Sequence, residues 1–321
     1  MILIFDVALL NMNTISIMNT LRRLVLNRNS ILVFAVVMGL VLGEYAEHIK
    51  AFNVYILAVT MTFSMTSLNL RVLDSFKKVI TPFLVGIFLN YIVFGALVML
   101  VAWLLMPTEQ LFYGFVVIAA APPGVAIIPF SYILKGKVDY AIIGVTGAFV
   151  GSILFAPLYV RLFANHSGIN PLDLFYTMVS LVLIPMVISQ ILRVKPILGV
   201  VEKVRGRVVD WGFALLIFVA VGVNRQVFFS DPVILLLVSA VLFVSTFGLG
   251  FVFDYLSIKF GTDRATRIPQ NMLATIKSSG FAVFTALTLF GKEAAIPSAV
   301  LAVMVLLYLI FLSIKSQHVN R

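Results

Sequence analysis

Apolar residues run along this chain in blocks of roughly 17–27, divided by short stretches where charges, Gly, Pro and Asn collect. A helix needs about 20 such residues to cross a bilayer. Ten blocks can be marked, at 31–48, 52–70, 80–105, 109–134, 138–164, 171–193, 208–224, 231–254, 268–290 and 295–314. The longest connection between them, RVKPILGVVEKVRGRVVD, follows Arg193. No stretch reads as a soluble domain or a low-complexity linker. The opening run MILIFDVALL carries Asp6 where a secretory signal carries basic residues, so residues 1–30 are expected to form a cytoplasmic or interfacial segment.

Two blocks depart from plain apolar helix. The ninth, IPQNMLATIKSSGFAVFTALTLF, opens on Pro269 and holds Lys277 near its middle, followed by Ser278, Ser279 and Gly280. A cation at membrane depth costs about 2.5–3.5 kcal/mol on insertion scales. The fourth carries Pro122, Pro123 and Gly124 at its centre, with Pro129 beyond. Proline lacks the N–H and clashes with the carbonyl four residues back, so this run breaks the helix. The freed groups then need protein or water, because lipid offers them no partner. Ten blocks divide into two fives near Asn165–Asp173, with the interrupted block fourth in each. Five is odd, so halves related to one another would be related by inversion across the membrane, with a transport site where the two breaks approach. The expected organisation is repeat 1 over 31–165, repeat 2 over 166–315 and a cytoplasmic tail over 316–321.

Composition agrees with the pattern: 62% of residues are hydrophobic and 11% charged, against about 25% charged in soluble domains. The net charge of +10 would suit nucleic acid, but its distribution does not. With the N-terminus inside, 18 of the 23 Lys and Arg fall in inside segments and four in outside ones. That bias is a topological signal, placing both termini in the cytoplasm and the chain in the cell's inner membrane. There is no cysteine, hence no disulfide, thiolate metal site or redox motif. All 13 acids fit loops, the N-terminal segment or span ends, which excludes a paired-carboxylate enzyme. Metalloprotease, nucleophile-elbow and nucleotide-phosphate motifs are absent too. Transport driven by a gradient, without cofactor, is the reading that remains.

Lys277 lies nine residues into its block, about 13 Å at the helical rise, a long reach for a side chain escaping to the interface. It could bind and release a proton, or stay charged opposite an anion. Ser278 and Ser279 could hydrogen-bond freed backbone or a solute. Asn90, in GIFLNYIVFG, needs partners that a helix break or the lysine would supply. Thr60, Thr62, Ser64 and Thr66 recur every second residue and cover more than one helix face, and most of them read as back-bonded packing residues. Asp254 ends the eighth block and reads as a cytoplasmic surface group rather than a partner of Lys277. His48, His166 and His318 fall in expected loops or the tail.

At these residues the sequence resembles the bile acid:sodium symporter superfamily, which includes the arsenite permeases. GIFLNYIVFG is similar to that family's third span, where an amide binds sodium, and Asn90 falls at the amide. APPGVAIIPFSYILKGKVDYAIIGVTGAFVGSILFAPL resembles the broken fourth span, a basic-Gly turn (Lys135-Gly136-Lys137) and the fifth span with its late proline, Pro157. IKSSGFAVFTALTLFG resembles the ninth. The resemblance implies an all-α membrane protein of ten transmembrane helices in two inverted five-helix repeats. Broken spans 4 and 9 would cross in a core of spans 3, 4, 5, 8, 9 and 10, against a panel of spans 1, 2, 6 and 7. It implies a secondary transporter of a small organic anion or related solute.

The sodium-ligand positions are not kept. Ile127-Ile128 stand where the sodium symporters carry Ser-Asn, Ala141 and Val145 at their fifth-span hydroxyls, and Leu273 at their glutamate. The glutamine of their second site falls at Lys277, whose ammonium is expected to replace the ion, with transport coupled to protons through Lys277 or uncoupled. The arsenite branch's cysteine falls at Pro123. The expected site joins Lys277, Asn90, Ser278, Ser279 and Gly280 to Pro122, Pro123 and Gly124. Alternatives are a receptor without transport on the same fold, and a cation/proton antiporter.

Overall fold

The computed structural model describes residues 28–67, 76–124, 126–164 and 171–319. Apart from one isolated bridge, every regular element among them is helical. In chain order these are α1 Arg28–Val41, α2 Ala46–Lys50, α3 Asn53–Met65, α4 at 76–105, α5 Glu109–Ala120, α6 Ile127–Ile133 and α7 Val138–Phe163. There follow α8 Pro171–Ile191, α9 Lys195–Val223, α10 Arg225–Ser230, α11 at 232–259, α12 Arg264–Thr275, α13 Ser279–Leu289 and α14 Ile296–Val319. Five stretches, Val79–Leu105, Val138–Phe163, Pro196–Val223, Pro232–Lys259 and Glu293–Ser316, are long and apolar enough to cross a membrane. The protein is an integral membrane protein. The expected N-terminal segment lies outside the described residues up to 27, as do the boundary at 165–166 and the last two residues of the tail.

Four expectations need correction. The first block is not one rod: α1 ends at Val41, and Gly43–Lys50 leaves it at 90°. The turn forms where Gly43 packs onto α9, so closely that a Cβ there would sit 2.8 Å from the Gly222 carbonyl oxygen. The connection after Arg193 is helix: α9 starts at Lys195, with Pro196 in the first turn, where its missing N–H leaves nothing unpaired. The ninth block starts earlier than Pro269: α12 opens at Arg264, capped by Asp263, whose carboxylate accepts from the Thr266 N–H at 3.0 Å. His48 lies in the short helix α2 rather than in a loop.

Pro269 therefore sits inside α12, and its missing N–H frees the carbonyl four residues back. That carbonyl, on Ala265, accepts from the Lys137 N–H at 2.8 Å, tying the turn between α6 and α7 to the start of α12. Lys137 Nζ adds a bond to Asp263 at 3.1 Å and one to Thr266 at 2.7 Å.

α4 and α11 share an irregularity. Each has a π-helical turn near its middle, Phe88–Val93 in one and Val244–Gly248 in the other. Each follows it with a glycine under a tyrosine hydroxyl. A Cβ on Gly95 would lie 1.9 Å from Tyr159 Oη, and one on Gly250 would lie 2.0 Å from Tyr308 Oη. α9 packs on α1 and α3, and α3 also meets α8.

Candidate functional site

The backbone stops being helical twice in the buried centre of the bundle. α5 ends at Ala120 because Pro122 and Pro123 cannot donate, and Ala121 turns extended. α12 ends at Thr275, with Ile276 and Ser278 extended before α13. The two extended pieces pair antiparallel, Pro123 opposite Lys277. Gly124 N–H donates to Ile276 O at 3.2 Å, and Ser278 N–H to Pro122 O at 3.0 Å. Each break thus satisfies backbone groups that the other exposes.

Lys277 occupies the junction and is 2% exposed. Its ammonium donates to three backbone carbonyls, Asn90 O at 2.9 Å, Ala119 O at 3.0 Å and Ala121 O at 2.9 Å. Each is free for a reason local to its own helix. Ala119 lies four residues before Pro123, which has no N–H to give it. Ala121 stands at the break, past the last turn of α5. Asn90 is skipped by the π turn, since the Phe94 N–H reaches back to Leu89 instead. Three acceptors match the three N–H groups of an ammonium, whereas a neutral amine has two.

The rings of Tyr91 and Phe94 close over the charge at 4.8 and 5.0 Å. Among the described residues no carboxylate pairs with Lys277. Burying an ion costs several kcal/mol. Three bonds from a charged donor, at about 1.5–3 kcal/mol each, together with the ring contacts, offset a cost of that size.

The other expected residues gather here in differing ways. Asn90 serves mainly through its carbonyl; its Nδ2 donates to Ala121 O at 3.3 Å, and its Oδ1 has no partner. Ser278 is buried and binds through its N–H. Ser278, Ser279, Gly280 and Gly124 line a cleft of about 40 Å³ beside the junction, closed by Phe213 and Ile217 of α9. A Cβ on Gly280 would meet the Phe213 ring at 2.7 Å. Thr60, Thr62 and Thr66 do back-bond, to Ile56, Ala58 and Phe63. Asp254 pairs with Lys315 at 2.7 Å and Arg267 at 3.6 Å, away from Lys277.

Sequence reasoning missed Ala119, Ala121, Tyr91 and Phe94. Counting four back from Pro123 would have found the first. Nothing in FLNYIV announces a π turn, so the Asn90 carbonyl had no signal.

Residues 54–231, more than half of the chain, match the Sodium Bile acid symporter family. The chain belongs to that family. It is a family of transporters and not of enzymes. The chain is also similar to the arsenical-resistance protein Acr3 of Alkaliphilus metalliredigens (strain QYMF), 27% identical over 229 residues, or 64% of this chain and 62% of Acr3. It thus spans about three fifths of the length of that curated relative. At the positions where the sequence resemblance expects sodium ligands, this bile acid symporter relative has aliphatic side chains. Ile127, Ile128, Ala141, Val145 and Leu273 are all buried. None has a side-chain oxygen to offer a hard cation. Leu273 packs so near Gly144 of α7 that a Cβ there would lie 2.6 Å from its Cδ1.

Proposed function

We propose that this protein is a secondary transporter of a small organic anion that works without bound sodium, because Lys277 carries the cation's charge within the protein. The single observation behind this is the ammonium held by Asn90 O, Ala119 O and Ala121 O at 2.9–3.0 Å. Backbone carbonyls are ligands for alkali cations as readily as for ammonium, and here the lysine fills their centre. The ion-binding set is Lys277 with Asn90, held by the breaks at Pro122, Pro123 and Gly124. Ser278, Ser279 and Gly280 line the solute's side of the junction.

Coupling runs through Lys277 or is absent. Loss of a proton from Lys277 would remove one of its three bonds to the carbonyls, leaving at most the long Asn90 amide bond on Ala121 O, and loosen the crossing, which would link protonation to movement of the two broken helices. Ten spans in two inverted halves fit this reading. Its support is the matched pair of π turns, each followed by a glycine beneath a tyrosine hydroxyl, and the matched pair of breaks. Both termini are assigned to the cytoplasm by the basic residues, and the inner membrane to the protein.

Uptake into proteoliposomes, with sodium chloride replaced by choline chloride, tests the proposal; uptake of organic anions should not change. A strict sodium requirement would overturn it. An arsenical cargo is a second reading, favoured by the likeness to Acr3. It asks for a different chemistry, since the chain holds no cysteine and Pro123 stands where the resemblance expects one. Uptake of arsenite alone would decide for it.

A further inference from the structure

A groove of about 720 Å³ runs along α4 and α7, two of the helices long enough to cross the membrane. It occupies the half of the bilayer opposite the side assigned to the cytoplasm. Its length is that of one leaflet. Along α4 it extends from Ile92, in the π turn, to Trp103, eleven residues or about 16 Å. Half the thickness of a hydrocarbon core is about 15 Å. Trp103 stands two residues from the end of α4, at the level where aromatic side chains meet lipid headgroups.

The floor is packed and the edges are open. Tyr159 lies in the floor against Gly95, and its hydroxyl donates to Tyr91 O at 2.6 Å. Phe155, in the same wall, stacks on the Tyr91 ring at 4.7 Å, and that ring covers the Lys277 ammonium. Leu100, Trp103, Leu158 and Leu162 stand exposed along the groove. A second helix docks where small residues let two backbones approach. Here the bulky side chains stand in front of Gly95 and Ala96 and hold a helix off, while a thin chain can lie between them. One residue before Leu162, in the last turn of α7, Arg161 is exposed, and among the described residues no carboxylate pairs with it.

We propose that this groove binds one acyl chain of a phospholipid from the leaflet facing away from the cytoplasm, and that Arg161 selects a lipid whose phosphate headgroup is net anionic. A guanidinium takes two phosphate oxygens through parallel N–H bonds, and at the water boundary it adds attraction for the net charge. Trp103 meets the lipid where headgroup gives way to chain. The chain then runs inward to Ile92 and packs on Phe155 and Tyr159, so that it backs the layer of rings over Lys277. The lipid is a fixed partner rather than cargo, and the site stands whether or not the protein transports an anion.

Trp103 reports on its own groove, because Trp211 of α9 is the only other tryptophan and can be removed as Trp211→Phe. The whole protein is placed in phosphatidylcholine nanodiscs holding a rising share of phosphatidylglycerol with brominated acyl chains, and bromine quenches the indole on contact. Brominated phosphatidylcholine is the control. Half-quenching of Trp103 should need a several times smaller share of the brominated phosphatidylglycerol, and the advantage should shrink as salt rises. Arg161→Gln, an exposed change that leaves the packing intact, should bring the two lipids together. Ala96→Phe, which sets a ring into the groove from its bilayer side, should do the same. Equal quenching by the two lipids in the unaltered groove would overturn the proposal, as would an advantage that survives Arg161→Gln. Trp103 shielded from both lipids would also overturn it, by showing a second copy of the chain on this face.

Discussion

Replacing Lys277 by methionine keeps the side chain's bulk and removes all three of its N–H groups. Asn90 O and Ala119 O then have no donor, while Ala121 O keeps the Asn90 amide at 3.3 Å. A buried acceptor left unpaired costs about 1–3 kcal/mol, so two cost about 2–6 kcal/mol, less whatever burying the ammonium had cost. Lys277→Ala differs in leaving space among the carbonyls. A sodium ion entering at 100 times its dissociation constant would return about 2.7 kcal/mol. The assay is the unfolding midpoint of purified protein in sodium chloride and in choline chloride at equal ionic strength. The wild type should melt alike in both salts. Lys277→Met should melt lower in both, and Lys277→Ala lower in choline but partly restored by sodium. Uptake should stop in Lys277→Ala, with the protein still in the membrane. A methionine variant as stable as the wild type, or a wild type stabilised by sodium, would refute the reasoning.

Asn90→Ala gives up one long hydrogen bond but keeps the carbonyl that holds Lys277; it should cost about 1 kcal/mol and leave uptake independent of sodium, read by unfolding and vesicle assays. Asn271→Ala removes the acceptor of Tyr308 Oη at 2.6 Å and the donor to Gly250 O, and should cost about 2–3 kcal/mol by the same unfolding measurement. Gly280→Val drives a side chain into the Phe213 ring; it should destabilise by about 1–3 kcal/mol and close the cleft, lowering uptake more than expression. The Asp263 carboxyl is held down to about 2 by the Thr266 hydroxyl and N–H, and by Lys137. Its contribution is present above pH 4 and lost as pH falls from there through about 2, so acid should lower the unfolding midpoint less in Asp263→Asn than in wild type.

Much of the site was legible because proline and a buried charge are unambiguous. Pro122-Pro123 had to break a helix, and Lys277 had to find acceptors there. What the residues could not disclose was which acceptors. Two depend on breaks already visible, but the Asn90 carbonyl depends on a π turn that FLNYIV does not betray. Pro269 misled for a related reason: it read as the start of a helix, whereas Asp263 caps that helix six residues earlier. RVKPILGVVEKVRGRVVD read as a loop by its charges. It is helix because Val201 and Val209 are buried while Lys203 and Arg207 are exposed, a one-sided pattern that hydropathy averaging hides. The bend at Gly43 is set by contact with Gly222, some 180 residues away, and nothing local encodes it.

The reciprocal repair of the two breaks bears on how the chain is made. Asn90 O, Ala119 O, Ala121 O and Pro122 O belong to the first half, yet the partners that quench them, Lys277 and Ser278, arrive more than 150 residues later. In hydrocarbon such groups find no substitute. A nascent chain that has threaded its first five helices is therefore left with a polar wound in its middle. It must stay open to water or to the insertion machinery until residue 277 leaves the ribosome, so that the two halves become a protein at one late moment.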